Sequence, residues 1–269
     1  MITHFSELQL NTVSVQGVKQ FYHDQLRFPI LFESDNEICF QPTEYFTLSF
    51  KEVVEPLAPV HFAFEVPYSE FENVVNWLQS AGGITLLKWS DGRIIDDFET
   101  GMNVYFRDGD GNLLEIITHY YIKEGILPPC GELKILYLRE IGFPVDSVID
   151  FRELLVNILN FKLDKVSDNF TFAIGGTSHA VIPSKKRKWI PIAMTALPPT
   201  MNVVFGVGSS EFIDKVKTNL SAKGIHFDEN NEDGRLHFRI NEYSFYLRFT
   251  NFPKEVPTLL NLPYSRLQF

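Results

Sequence analysis

Two cysteines in 269 residues, Cys39 and Cys130, are too few for a disulfide framework and form no CxxC metal or redox pair. Positive charge is also scarce, with 24 Lys and Arg against 34 Asp and Glu and a net charge of -10. Nucleic acid and anionic membranes both select a positive field, so neither is expected as a partner. No apolar run approaches the ~18 residues of a membrane span. The opening Met1-Ile-Thr-His-Phe-Ser-Glu runs directly into a strand pattern, with no apolar stretch before a cleavage site. A soluble, cytoplasmic protein with reduced thiols is expected.

Apolar mass is plentiful. Hydrophobic residues make up 45% and charged residues 22%, enough for a real core, and 25 Phe predict a cavity with ring-lined walls. The length fits two domains of ordinary size. The one basic cluster, Lys185-Lys-Arg-Lys188, reads as a solvated hairpin tip, with anion recognition as the alternative.

The chain repeats itself. Residues 7–26 and 140–159 share an opening glutamate, a helix pattern and a Leu-x-Phe exit, in register at an offset of 133. A second pair runs from His61-Phe-Ala-Phe-Glu-Val and from Asn202-Val-Val-Phe-Gly-Val, each into a helix opened by Ser-Glu. Strand-like runs follow every helix, and Asp-Gly-Asp-Gly-Asn at 108–112 marks a hairpin turn. The pattern predicts an α+β protein of four βαβββ modules, over 1–55, 56–122, 131–197 and 198–252, with a linker at 125–131.

Strand periodicity sorts the side chains by face. Leu8 and Leu10 oppose Glu7 and Gln9; Phe62, Phe64 and Val66 oppose His61, Ala63 and Glu65; Leu114 and Ile116 oppose Glu115, Ile117 and His119. Helices flank these strands, so the apolar set should lie beneath them and the polar set should line a curved inner face. Ionisable groups there are costly unless paired, hydrated or bound to metal. Glu7, His61 and Glu115 therefore form either a divalent-cation site or three half-solvated polar positions.

Several stretches resemble the vicinal oxygen chelate superfamily, which includes glyoxalase I, fosfomycin- and bleomycin-resistance proteins and extradiol ring-cleaving dioxygenases. They are the strand with Glu7 ahead of Phe21-Tyr22 and Leu26-Arg-Phe28, the strand at His61, the helix ending in Ala81-Gly-Gly, and Tyr105-Phe-Arg-Asp-Gly-Asp-Gly-Asn-Leu-Leu-Glu115. The resemblance implies modules paired into two open eight-stranded cups. Its metal is held by the first strand of one module and by the first and last strands of its partner, which on this chain gives Glu7, His61 and Glu115. The implied domains are residues 1–124 with the metal site, a degenerate pair over 131–252, and a tail over 253–269.

Such a chain is expected to be a divalent-metal-dependent enzyme, lyase, isomerase or ring-cleaving dioxygenase-like, acting on a small oxygen-bearing substrate. Mn, Fe, Co, Ni and Zn all suit the ligands. Glu7 or Glu115 would double as base, and His119 would carry a proton at the rim or else end a strand in solvent. Tyr105 and Gln9 are candidates to touch substrate, His23 is expected at the surface and His4 at a frayed or capping position. In the degenerate half, Arg248 is expected to replace the metal's charge and pair with Glu140. A metal-free small-molecule-binding protein of the same fold is the alternative, and a scaffold whose cup is filled by its own side chains a weaker one. Module exchange between chains makes a homodimer a further expectation.

Overall fold

The computed structural model describes residues 1–189, 191–230 and 234–266. The first module comprises β1 (Ile2–Thr12), α1 (Val15–Lys19), β2 (Ile30–Glu33), β3 (Glu37–Thr43) and β4 (Phe46–Glu52). The second comprises β5 (His61–Glu65), α2 (Phe71–Ser80), β6 (Asp96–Phe98), β7 (Gly101–Arg107) and β8 (Leu113–His119). The third has β9 (Tyr137–Gly142), α3 (Val148–Leu159), β10 (Lys162–Asp164), β11 (Phe170–Gly175) and β12 (Ser178–Pro183), followed by a small hairpin of β13 (Lys188–Trp189) and β14 (Met194–Thr195). The fourth has β15 (Met201–Val207), α4 (Ser210–Ala222), β16 (Phe227–Glu229), β17 (Leu236–Ile240) and β18 (Tyr243–Phe249), and α5 (Val256–Leu259) lies in the tail.

Local chemistry starts and ends these helices. The Ser14 hydroxyl accepts from Gly17 N at 3.1 Å and the Ser147 hydroxyl from Asp150 N at 3.2 Å, each taking up an otherwise orphaned first-turn donor. Beyond α1 the chain loosens into π-helical turns over Gln20–Gln25. Ser69 is not the cap its sequence context predicts, because its hydroxyl donates to Glu124 at 2.7 Å. Among the described residues, no helix is long and apolar enough to cross a membrane.

The modules form two eight-stranded sheets, ordered β16-β17-β18-β15-β1-β4-β3-β2 and β10-β11-β12-β9-β5-β8-β7-β6. Module one therefore pairs with module four, and module two with module three. This corrects the expected division into 1–124 and 131–252, since neither segment contains a whole sheet. After β8 the chain runs through residues 120–136 and returns alongside β5, where β9 pairs antiparallel with it. Module four then completes the sheet of module one through β1 and β15.

The apolar faces meet in one shared core. Phe28 and Phe46 of module one pack on Phe64 of module two, with ring centroids 5.9 and 6.0 Å apart. Phe5, Phe161 and Phe245 surround Phe205 in the same way. Apolar side chains thus bind the sheets together, and the polar face of each strand is left for the two cups.

The tail crosses from one sheet to the other. Phe252 stacks on His4 at 4.2 Å, and Val256, Leu260 and Leu262 are buried with Ile122, Leu127 and Tyr137. Lys162 Nζ donates to the Tyr264 carbonyl at 2.5 Å, which brings Tyr264 to the rim of the second cup.

Candidate metal centre

Backbone register assembles the site around Ala63. In β5, Ala63 pairs with Glu115 of β8 on one side and with Glu140 of β9 on the other, and His61 shares its face two residues earlier. His61, Glu115 and Glu140 are all buried, and one ligand atom from each lies within 4.8 Å of the others. His61 Nε2 is 3.4 Å from Glu115 Oε2 and 3.9 Å from Glu140 Oε2.

The Asp-Gly-Asp-Gly-Asn turn holds this constellation in place. Asp108 accepts from the Asn112 backbone and side-chain amides at 2.8 and 2.7 Å and from the Tyr22 hydroxyl at 2.7 Å. Asn112 Oδ1 in turn accepts from Val60 N at 2.9 Å, which fixes the chain immediately before His61. Burial pushes the Asp108 carboxyl up to about 6.

His61 Nδ1 lies 3.2 Å from the Leu113 carbonyl, which can only accept, so Nδ1 carries the ring proton. Nε2 then presents either a lone pair or a second proton to two carboxylates. Burial, with the Glu140 charge beside it, raises the Glu115 carboxyl well above the usual range. Burial also works against charge on Glu140, but the nearby His61 ring and the Arg139 guanidinium outweigh it and hold this carboxyl below its usual value. Without a cation the pair retains a proton, mainly on Glu115. Two oxygens and one imidazole nitrogen converging in a buried pocket suit a divalent ion of the borderline series.

An outer ring orients these groups. Asn103 Nδ2 donates to Glu115 Oε1 at 2.8 Å and to the Tyr105 hydroxyl at 3.2 Å, which sets that hydroxyl beside Glu115. Between Leu138 and Glu140 the strand bulges, so Arg139 and Glu140 both face inward. Buried Arg139 donates to Glu65 at 3.0 Å, to the Tyr121 hydroxyl at 2.8 Å and to His179 Nε2 at 3.2 Å. His119 donates from Nδ1 to Glu65 at 2.9 Å, and burial keeps it below the ordinary imidazole value. Its Nε2 is therefore the basic atom of a buried His–Glu pair.

His61, Glu115, Glu140, Asn103, His119 and Arg139 line one cavity of about 530 Å³, walled by Tyr105, Phe170, Phe172 and Trp189. The Trp189 ring lies 5.0 Å from that of His61. Trp189 Nε1 and Asn103 Oδ1 are buried with no hydrogen-bond partner in the structure.

Glu7 lies elsewhere, which corrects the expected ligand set. It stands in the other sheet, where Val204 pairs with Glu7 on one side and Tyr246 on the other, as Ala63 does with Glu140 and Glu115. By this register Asn202 replaces His61 and Tyr246 replaces Glu115. Arg235 lies 3.2 Å from Glu7, in a smaller cavity of about 270 Å³ that also holds Gln9. The arginine beside a first-strand glutamate is Arg235, on Glu7. Glu140 and Arg248 lie in different sheets, so the expected pair between them does not form.

Other positions also resolve. His4 is neither frayed nor a cap: it is buried, stacked on Phe252, and held by desolvation at a pKa of about 3. His23 is half-buried, with Nδ1 2.9 Å from the Phe28 carbonyl. Cys39 and Cys130 are free thiols.

No family model and no curated protein matches the chain. Solved structures do. A candidate dioxygenase from Bacillus subtilis superposes with a TM-score of 0.68 at 12% identity, covering 97% of this chain and 90% of its own. The chain has the vicinal oxygen chelate fold. Glyoxalase I from Zea mays matches with a TM-score of 0.54 at 12% identity over 91% of both chains, and a single-site variant of it with 0.58 at 11%. In vicinal oxygen chelate terms, the candidate centre draws on the first and last strands of module two and the first strand of module three.

Proposed function

We propose that the protein is a divalent-metal-dependent enzyme that binds a small substrate through paired oxygens in the cup of modules two and three. One observation carries this reading: the tautomer set by Leu113 turns His61 Nε2 toward two buried carboxylates at 3.4 and 3.9 Å. Removing two acids and an imidazole from water to face one another costs several kcal/mol unless something offsets it, at about this order per buried ion. The second acid is Glu140, and Glu7 belongs to the other cup, opposite Arg235.

Bound there, a divalent ion would supply Lewis-acid polarisation of substrate oxygens. The chain's own residues do the rest. Asn103 and Tyr105 hold Glu115 in one orientation, and Arg139 does the same for Glu140. The ring walls exclude water and strengthen polar interactions inside. The Glu65–His119 pair offers Nε2 as a proton carrier in the same cavity, with Glu65 orienting the ring. Paired oxygens and a proton carrier fit lyase or isomerase chemistry, and the same centre accommodates oxygenase chemistry.

Metal analysis of protein purified without chelator or affinity-resin metal tests the proposal. One equivalent in the wild type, lost in His61→Ala and Glu140→Ala, supports it; no stoichiometric metal in any of the three ends it.

A further inference from the structure

The metal end of the cavity is electrically balanced by its own parts, but the mouth is not. Two carboxylates offset a divalent charge, and the Arg139 charge is met by Glu65 at 3.0 Å. At the rim, Asp96 is taken by Arg93 at 2.8 Å, whereas Asp164, which accepts from the neutral Lys165 backbone amide at 2.7 Å, keeps its charge. Lys185 pairs with Asp146 and Glu242. That leaves Lys165, Arg187 and Lys188. All three line the cavity, and none is ion-paired with a carboxylate among the described residues.

Two of these cations are pre-positioned. The Arg187 guanidinium lies 4.4 Å from the Phe170 ring centroid, and Lys165 Nζ lies 5.5 Å from that of Phe172. The two rings pack edge to face at 5.1 Å on β11 and form the cavity wall. Wall and charge are thus one unit: an apolar body lying along the rings ends beneath the cations. Inside, the unpartnered Trp189 Nε1 and Asn103 Oδ1 are a buried donor and acceptor in the wall of the same cavity. In a chain of net charge -10, three cations against the one carboxylate of Asp164 still make this opening a local reversal of sign.

We infer that the cavity selects an anionic substrate: a flat, apolar body with paired oxygens at one end and a carboxylate at the other, the carboxylate held by Lys165, Arg187 and Lys188. The placement of the paired oxygens rests on the metal reading above; the anion-binding mouth does not. The same residues give the basic run at 185–188 a role beyond solvation.

Two hydroxamates test it, since both offer paired oxygens and differ in one charge. Benzohydroxamate and 4-carboxybenzohydroxamate are titrated into metal-loaded protein at low salt, with Trp fluorescence as readout. The expected result is about tenfold tighter binding of the carboxylate, a preference that shrinks with added salt and disappears in the exposed triple variant Lys165→Gln/Arg187→Gln/Lys188→Gln. Equal binding in the wild type, or an unchanged preference in the variant, overturns the inference. A parallel titration of metal-free protein with benzoate and benzamide separates the two readings. Preference for benzoate that is lost in the variant supports the mouth even if no metal binds, and no preference there overturns it.

Discussion

Arg235 meets Glu7 at 3.2 Å from the register position that Asn103 occupies in the other cup, where Asn103 contacts Glu115 at 2.8 Å. One architectural slot therefore supports a ligand in one cup and supplies the cation itself in the other. A guanidinium cannot be displaced by a metal ion without leaving its own charge to be solvated elsewhere.

The first prediction follows: the protein binds one metal equivalent, not two. Glu7→Ala should leave stoichiometry and affinity unchanged, whereas Glu140→Ala should cost more than the ~10–100-fold typical of losing an outer supporting group. Competition titration against a fluorescent chelator measures both. Equal losses in the two variants would place the ion elsewhere.

Glu115 gives a second prediction, with a definite sign. Burial and the Glu140 charge raise its folded pKa well above that of an ordinary carboxylate, so the metal-free folded state binds more protons than the unfolded chain above the unfolded pKa. Its contribution to stability is thus fully present in acid and is lost as pH rises toward the folded pKa. Glu115→Gln should raise the melting temperature of metal-free protein at pH 8 and change it little near pH 4. Metal should stabilise the wild type increasingly as pH rises, because binding requires the proton to leave. A variant less stable than wild type at pH 8 without metal contradicts this.

Much of the fold was legible because it rests on local pattern. Alternation in β1, β5 and β8, the Ser14 and Ser147 caps and the 108–112 turn all follow from short-range chemistry, and they sufficed to put His61 and Glu115 on one inner face. Glu140 was visible as the repeat partner of Glu7, yet the choice between them was not. Both sit on first strands at equivalent positions, and either pairing of modules places a first strand beside β5. The choice lies in which sheet β9 joins, a long-range contact that leaves no periodic trace. Arg235 was hidden for the same reason, since its relation to Glu7 exists only once module four has joined module one.

Asp108 carries a third prediction. Its carboxyl, at about 6 against an ordinary 3.8, favours folding most when protonated, so its contribution is complete below pH 4 and declines as pH rises to about 6. The shift corresponds to at most about 3 kcal/mol, at ~1.36 kcal/mol per unit. Asp108→Asn should therefore lower stability at acidic pH, where its amide meets donors instead of acceptors, while flattening the wild-type decline between pH 4 and 6. Urea denaturation at half-unit pH intervals reads the difference curve; parallel curves would mean that another group sets the slope.

Gly142 provides the last prediction, because it lets Trp189 approach the metal centre. A Cβ at residue 142 would stand 2.7 Å from Trp189 Cη2, closer than real contacts allow, and a tight 3.2 Å from His61 Cβ. The backbone of β9 is paired to both β5 and β12 and cannot recoil, so the indole must move. Gly142→Ala should cost about 1–3 kcal/mol as an overpacking change and should alter the Trp189 emission, read in a background lacking Trp77 and Trp89. Because Glu140 and His61 keep their strand positions, metal stoichiometry should survive, whereas affinity for the aryl hydroxamate should fall. Loss of metal together with ligand would show instead that the indole supports the coordinating groups rather than the cavity wall.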